Sequence, residues 1–312
     1  MMQPITRERT TAVYARGALF GLAAVSIWAG NIVVAGLGLR SSLTPWDISA
    51  IRFAVAGLLL VPYLQRRGLA LDRLGWIGLA ALVLGGAPTV LLANAGLLFA
   101  PASHAGALFP GVMPLMVAVL AAAILQEAFT RQKSVGFALI ATGVVGIVWG
   151  SGGTIGTAQN IGHLLFLGSA LAFACYTVAL RRARLDGLHA AAISAVGSML
   201  VYMPAYLIAA GTSVFAASPS AIALQALVQG LLTAVISYIV FGVAVGMLGA
   251  ASGAAFAASC PAMTALMAIP ILGEWPSAID WIAIALISIG VYVVSGGPLP
   301  GRGRRCVAAN LH

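Results

Sequence analysis

The 312-residue chain is 61% apolar and only 7% charged, and its 16 Lys and Arg outnumber 7 Asp and Glu for a net charge of +9. A soluble domain carries about 25% charged residues, so this composition cannot cover a water-facing surface, and the basic excess has no polar face from which to grip nucleic acid. A water-soluble enzyme, a nucleic-acid binder and a disordered chain are excluded, and the chain reads as an all-α integral membrane protein.

A polar segment, 1–16, holds Arg7, Arg9 and Arg16 and precedes an apolar run too long for a signal-peptide core. Windows of about 20 apolar residues, the length needed to cross a hydrocarbon core of about 30 Å, then recur ten times. They are 17–38, 45–64, 74–98, 102–125, 132–150, 161–181, 188–210, 220–246, 250–272 and 278–297. They lack the alternation of barrel strands. Pro101 separates the third window from the fourth, because proline disfavours helix in the residue before it. Cys175 and Cys260 fall inside apolar stretches and read as packing residues, and Cys306 lies among the arginines of the tail.

Ten crossings put both termini on one side. That side collects Arg7, Arg9 and Arg16, then Arg66, Arg67 and Arg73, then Arg131 and Lys133. It also collects Arg181, Arg182 and Arg184, and finally Arg302, Arg304 and Arg305, fourteen of the sixteen basic residues in all. By the positive-inside rule the termini are expected in the cytoplasm. Only Arg40 falls in an opposite loop, and Arg52 lies inside the second helix.

Sliding the chain over itself by 147 residues superposes Pro114 on Pro261, Met116 on Met263, Ile124-Leu125 on Ile271-Leu272 and Glu127 on Glu274. At an offset of 145, Ile48-Ser49-Ala50 meets Ile193-Ser194-Ala195. The spacing predicts a duplicated unit. Its halves are 17–150 and 161–297, with a linker at 151–160 and a basic tail at 298–312. Five crossings per unit is odd, so the second copy is inverted, as in secondary transporters whose substrate site lies between the repeats. Ten transmembrane helices, as two five-helix inverted repeats around a central cavity, are expected.

The ten spans and the repeated Pro…Glu block resemble the drug/metabolite transporter superfamily, EamA family, and within it the YddG-like aromatic amino-acid exporters. The resemblance covers residues 17–297. It implies export of amino acids, aromatic and other neutral ones, by alternating access across a bacterial-type inner membrane. It brings no cofactor and no obligate protein partner; a small-molecule substrate and the bilayer are the expected contacts. Export of drugs or hydrophobic cations is the alternative cargo, and would favour an anionic cavity.

Polar and ring-bearing residues at membrane depth are the candidates for a path. Trp28 and Asn31 share one face of the first helix, and Phe173 and Tyr176 are their counterparts at offset 145. Together they form either a cage for an amphipathic solute or a packing contact. Asn94 follows Gly85-Gly86-Ala87-Pro88 in the third span, and Ser259 precedes Pro261 in the ninth. Gln229, Thr233 and Ser237 step by four along the eighth span, beside Tyr238, as a polar stripe. Pro88, Pro110, Pro114 and Pro261 each remove a backbone donor, and broken helices at matching depth in both halves are expected.

Arg52 either snorkels outward to Asp47 or meets a substrate carboxylate. Glu127 and Glu274, at helix ends, read as gate or capping groups. No carboxylate occupies a helix centre, so a facilitator or a carrier with unobvious coupling is expected. His104 and His163 lie near the outer surface, where an interfacial hydrogen bond is the commoner role. No catalytic residue, metal site or phosphate-binding loop is read in the chain, which offers no HExxH, no GxxxxGK[ST] and no Cys/His cluster.

Overall fold

The computed structural model describes residues 5–127, 130–150, 158–211 and 213–296. The basic tail with Arg302, Arg304, Arg305 and Cys306, most of the expected linker and the side chains of Arg7 and Arg9 lie outside the described residues. The first span is α1 (Ile5–Leu39), followed by α2 (Pro45–Arg67). The third is split into α3 (Leu71–Leu84) and α4 (Ala87–Gly96), and the fourth into α5 (Ala102–Leu108) and α6 (Met113–Leu125). Then come α7 (Arg131–Gly150), α8 (Ala158–Arg182) and α9 (Gly187–Ala210). A short 3-10 turn, Ser213–Ala216, leads to the eighth span. That span runs α10 (Pro219–Gln225), a π-helical stretch Ala226–Ile236, and α11 (Ser237–Leu248). The last two are α12 (Ala250–Leu272) and α13 (Ala278–Val294).

Among the described residues nine helical spans of 20–30 residues are apolar enough to cross a bilayer, and Ala278–Val294 is a shorter apolar tenth. Its 17 residues reach about 25 Å at 1.5 Å each. The helix of the first span begins at Ile5, within the polar N-terminal segment, since nothing between Ile5 and Arg16 breaks a helix. Large apolar side chains face outward, as a bilayer permits: Ile77 is 87% and Ile208 88% exposed. Trp76, Trp149 and Trp275 are exposed near span ends, the depth at which indole rings anchor in headgroups. Cys175 belongs to this exposed surface rather than to the packing, whereas Cys260 is buried.

Helix packing repeats itself. The fifth and tenth spans, α7 and α13, make the most extensive contact, and the second and seventh, α2 and α9, the next. α1 packs on the eighth and ninth spans through α11 and α12, while α8 packs on the third and fourth through α4 and α6. Exchanging each span for the one five places on leaves this pattern unchanged. Local caps repeat too. α6 ends with Gln126 in the left-handed region and α12 with Gly273. The next amides, Glu127 and Glu274, reach back to Ala121 and Ala268 at 3.4 Å each.

The breaks in the third and fourth spans free backbone groups that hydrocarbon cannot solvate. At Gly85–Gly86 the α9 residue Ser198 serves both sides of the gap. Its hydroxyl accepts from the Ala87 amide at 3.1 Å and donates to the Val83 carbonyl at 3.2 Å. Only glycine fits there: a Cβ on Gly86 would stand 2.2 Å from Ser198 Oγ, and one on Gly85 2.4 Å from Tyr176 Cβ. Pro88 opens α4, Pro114 opens α6, and Pro110 lies in the gap between α5 and α6, positions where no helical donor is lost. Pro261 departs from the expectation, because α12 runs through it unbroken. The matched breaks are therefore a property of the first half. In the second half, winding over Ala226–Ile236 loosens to a π-helix instead, with the Thr233 hydroxyl donating to the Val228 carbonyl five residues back at 2.7 Å.

Two variants test this packing. Gly143 on α7 faces α13 so closely that a Cβ would lie 2.5 Å from Ile287 and 2.8 Å from the Ala283 carbonyl. Gly143→Leu is expected to cost about 1–3 kcal/mol and to lower the thermal midpoint in detergent, whereas Gly242→Leu, with nothing within 4 Å, leaves it unchanged. Ser198→Ala strands the buried Ala87 amide, while the Val83 carbonyl keeps the Gly86 amide at 3.0 Å, and is expected to cost about 1–3 kcal/mol, read in the same melting measurement.

Candidate functional site

α1, α2 and the eighth span meet through side chains that a membrane interior would otherwise leave unsatisfied. Trp28 donates its indole N–H to Ser237 Oγ at 3.0 Å, and that hydroxyl donates onward to the Thr233 carbonyl at 2.7 Å. One turn along α1, Asn31 Oδ1 lies 3.4 Å from an Arg52 guanidinium nitrogen, which also reaches Gln229 Oε1 at 3.2 Å. Gln229 returns its amide N–H to the Asn31 carbonyl at 3.1 Å, and Gln225 donates to the Val34 carbonyl at 2.7 Å. The two glutamines, four residues apart, thus hold the eighth span on α1.

Arg52 turns inward. The expected outward partner, Asp47, is fully engaged in capping α2: it accepts from the Thr44 amide at 2.8 Å and hydroxyl at 2.6 Å. It also accepts from Ser213 at 3.0 Å and from the Tyr206 hydroxyl. The Arg52 guanidinium sits about 10 Å along α2 from its start, bonded to two neutral amide oxygens, and no carboxylate among the described residues pairs with it.

Rings gather next to this cluster. Phe241 lies against Trp28 with centroids 4.9 Å apart, Phe173 packs on Tyr176 at 5.1 Å, and Phe109 meets Phe173 edge-on at 6.3 Å. The Tyr176 hydroxyl is buried, with the Tyr238 hydroxyl as its polar neighbour. The Tyr238 hydroxyl is within electrostatic reach of both Tyr176 and Arg52. Trp28, Asn31, Phe173, Tyr176, Ser237 and Tyr238 are therefore brought together with Arg52. Asn94 is not: its amide donates to Ser49 Oγ at 3.3 Å and ties α4 to α2. Ser259 bonds back to the Phe256 carbonyl of its own helix.

Glu274 and Glu127 form matching clasps. Glu274 pairs with Arg40 at 2.8 Å and accepts from the Ala102 amide at 2.7 Å, and Arg40 also donates to the Leu272 carbonyl. Glu127 pairs with Lys133 at 3.3 Å and with Arg181 at 3.8 Å. Each clasp ties the end of one half's fourth span to a basic residue at the end of the other half's first span.

A recess of 420 Å³ is bordered by Arg67, Arg73, Arg184, Asp72 and His189, and one of 310 Å³ by Leu37, Arg40, Ser220 and Gln225. None of the expected lining residues borders either of these recesses. Sequence reasoning assigned Gln229 to a polar stripe only and did not single out Ser198. Gln229 meets Arg52 across 177 residues and Ser198 meets the break across 111, and no one-dimensional pattern carries such a pairing.

No group of three or more His, Cys, Asp or Glu among the described residues is placed to hold a metal ion. No curated protein matches the sequence significantly. A solved structure, titled only as the crystal structure of a protein, matches at 22% identity with a TM-score of 0.59. It covers 89% of this chain and 94% of its own, a likeness of fold. The EamA-like transporter family model matches twice, over residues 15–149 and again over 160–296. This multi-pass membrane fold indicates a transporter rather than an enzyme, and the chain belongs to the EamA-like transporter family.

Proposed function

We propose that this transporter exports amino acids, aromatic and other neutral ones, by alternating access between two inverted five-span repeats, 17–150 and 161–297, with both termini in the cytoplasm. The observation that carries the cargo is Arg52, an inward-facing cation held by two amide oxygens, with no carboxylate paired to it among the described residues. Unpaired charge at membrane depth is costly, and a substrate carboxylate supplies the missing partner. The adjoining rings of Phe173, Tyr176 and Phe241 suit an apolar side chain. A hydrophobic cation fits poorly beside Arg52.

Alternating access needs contacts that release. The Glu274–Arg40 clasp involves an arginine half exposed to solvent, and the Glu127–Arg181 pair is similarly open. Such pairs contribute about 0–1 kcal/mol, so either end can open at little cost while the other stays shut. The π-wound eighth span and the breaks in the third and fourth spans are places where a span can bend without stranding further backbone groups.

Full-length protein in proteoliposomes loaded with radiolabelled phenylalanine tests the reading. Saturable efflux that neutral amino acids compete for is expected. Arg52→Gln should weaken apparent affinity about 10–100-fold, the equivalent of one charge-assisted hydrogen bond, and Trp28→Ala should alter the order of preference among amino acids with expression intact. Wild-type behaviour in both variants, or indifference to neutral amino acids, overturns the cargo assignment. Reporter fusions at the two termini that report opposite faces overturn the topology.

A further inference from the structure

His104 on α5, His163 on α8 and Asp280 on α13 form a buried hydrogen-bonded chain that substrate binding does not use. His104 Nε2 lies 3.2 Å from Asp280 Oδ1, and His104 Nδ1 lies 3.0 Å from His163 Nε2. The Gln159 side-chain nitrogen lies 3.3 Å from the same Nδ1. Both imidazoles are 2% exposed. The other oxygen of Asp280 is occupied by the Ser277 amide at 2.8 Å in the cap of α13, which fixes Oδ1 toward the histidine.

Hydrogen-bond polarity orders the protons. An ionised carboxylate only accepts, so His104 carries its proton on Nε2 and presents a lone pair at Nδ1, which accepts from His163 Nε2–H. His163 Nδ1 is then left as a basic nitrogen, and it is buried with no hydrogen-bond partner. The chain holds one negative charge and one open base. One proton closes it: an N–H bond forms at His163 Nδ1, the proton comes from water at the face that carries Arg40 and Glu274, and the net charge falls to zero. The groups do not converge on a common point as metal ligands would.

The charged and titratable groups facing this chain from the packed elements are few. α13 contributes Asp280, and α8 contributes His163. Glu274, beyond the end of α12, reaches the amide of Ala102 two residues from His104, and it is already neutralised by Arg40 from beyond α1. On α7, Lys133 lies at the opposite end with Glu127. Asp280 is therefore the charge that a bound proton answers.

We propose that Asp280, His104 and His163 form a proton-binding site, and that the transporter exchanges an external proton for its exported substrate. The exchange rests on the carrier reading above; the proton site itself does not. The two helices that carry the histidines also carry the ring cluster. α5 ends beside Phe109, which packs on Phe173 of α8 at 6.3 Å. His104 is five residues from Phe109 and His163 ten from Phe173, about 7 Å and 15 Å along their helices. A proton that alters how α5 and α8 are joined at their outer ends moves two walls of the substrate site against each other.

Two measurements on the full chain decide the matter. In nanodiscs without substrate, histidine side-chain NMR across a pH series should show His104 and His163 changing together as one coupled transition, lost in Asp280→Asn. Independent titration of the two rings, unaffected by Asp280→Asn, overturns the site. In phenylalanine-loaded proteoliposomes with a tenfold proton gradient, one-for-one exchange should sustain up to about a tenfold phenylalanine gradient. His163→Gln keeps an N–H for His104 but has no basic nitrogen, so it should fold, conduct downhill flux and let phenylalanine equalise. A purely structural contact would leave His163→Gln as gradient-responsive as wild type, which overturns the exchange, as does equal distribution in the wild type. A wild type that moves no phenylalanine under any condition overturns the cargo reading, and the NMR titration still decides the site.

Discussion

Inside a bilayer no water takes up a freed N–H or C=O, so every interruption of a helix must be answered by another part of the protein. Much of this structure follows from that demand. The third span breaks at Gly85–Gly86, and Ser198 from the seventh span stands at the gap with donor and acceptor both engaged. Glycine is required because the break also lets the third span approach Tyr176 and Ser194. The eighth span meets the same demand without breaking, by widening its winding so that carbonyls are reached from five residues along and from Thr233. The same rule governs the side chains at mid-depth, where Trp28, Asn31, Arg52, Gln229 and Ser237 satisfy one another across three spans.

Duplication supplies the frame, and departures from it supply the chemistry. The packing of spans and the caps at Gln126 and Gly273 repeat, as do the acid clasps that follow them. Arg52 has no basic counterpart at offset 145, where the chain has Gly197, and Pro261 leaves α12 unbroken although its partner Pro114 begins a new helix. A protein with perfect internal symmetry would bind its cargo identically from both sides. The mid-depth Arg52, the histidine chain and the unequal bends are departures from that symmetry among the described residues.

The strengths of the contacts fit a moving part. Close glycine-mediated packing between α7 and α13 is dense and extensive, as befits a scaffold. The ion pairs of Glu274 with Arg40 and of Glu127 with Lys133 and Arg181 lie at span ends and each has a partly exposed partner. The rings of Phe109, Phe173 and Tyr176 lie between these regimes, on α8 and on the gap after α5.

The sequence by itself determined the helical membrane class, the ten apolar windows, the doubled unit and its family, because apolar length, proline and charge placement are local properties that a bilayer reads directly. Trp28, Asn31, Phe173, Tyr176, Ser237 and Tyr238 were legible as a group because their spacing puts polar and ring side chains on buried helix faces. Tertiary structure alone decided which of them meet. It turned Arg52 from Asp47 to Gln229, set Asn94 and Ser259 apart from the cluster, kept α12 straight at Pro261 and joined His104 to His163 and Asp280. Each of these outcomes depends on a hydrogen bond or a packing contact between residues far apart in the chain, where which donor reaches which acceptor is fixed by how whole helices dock.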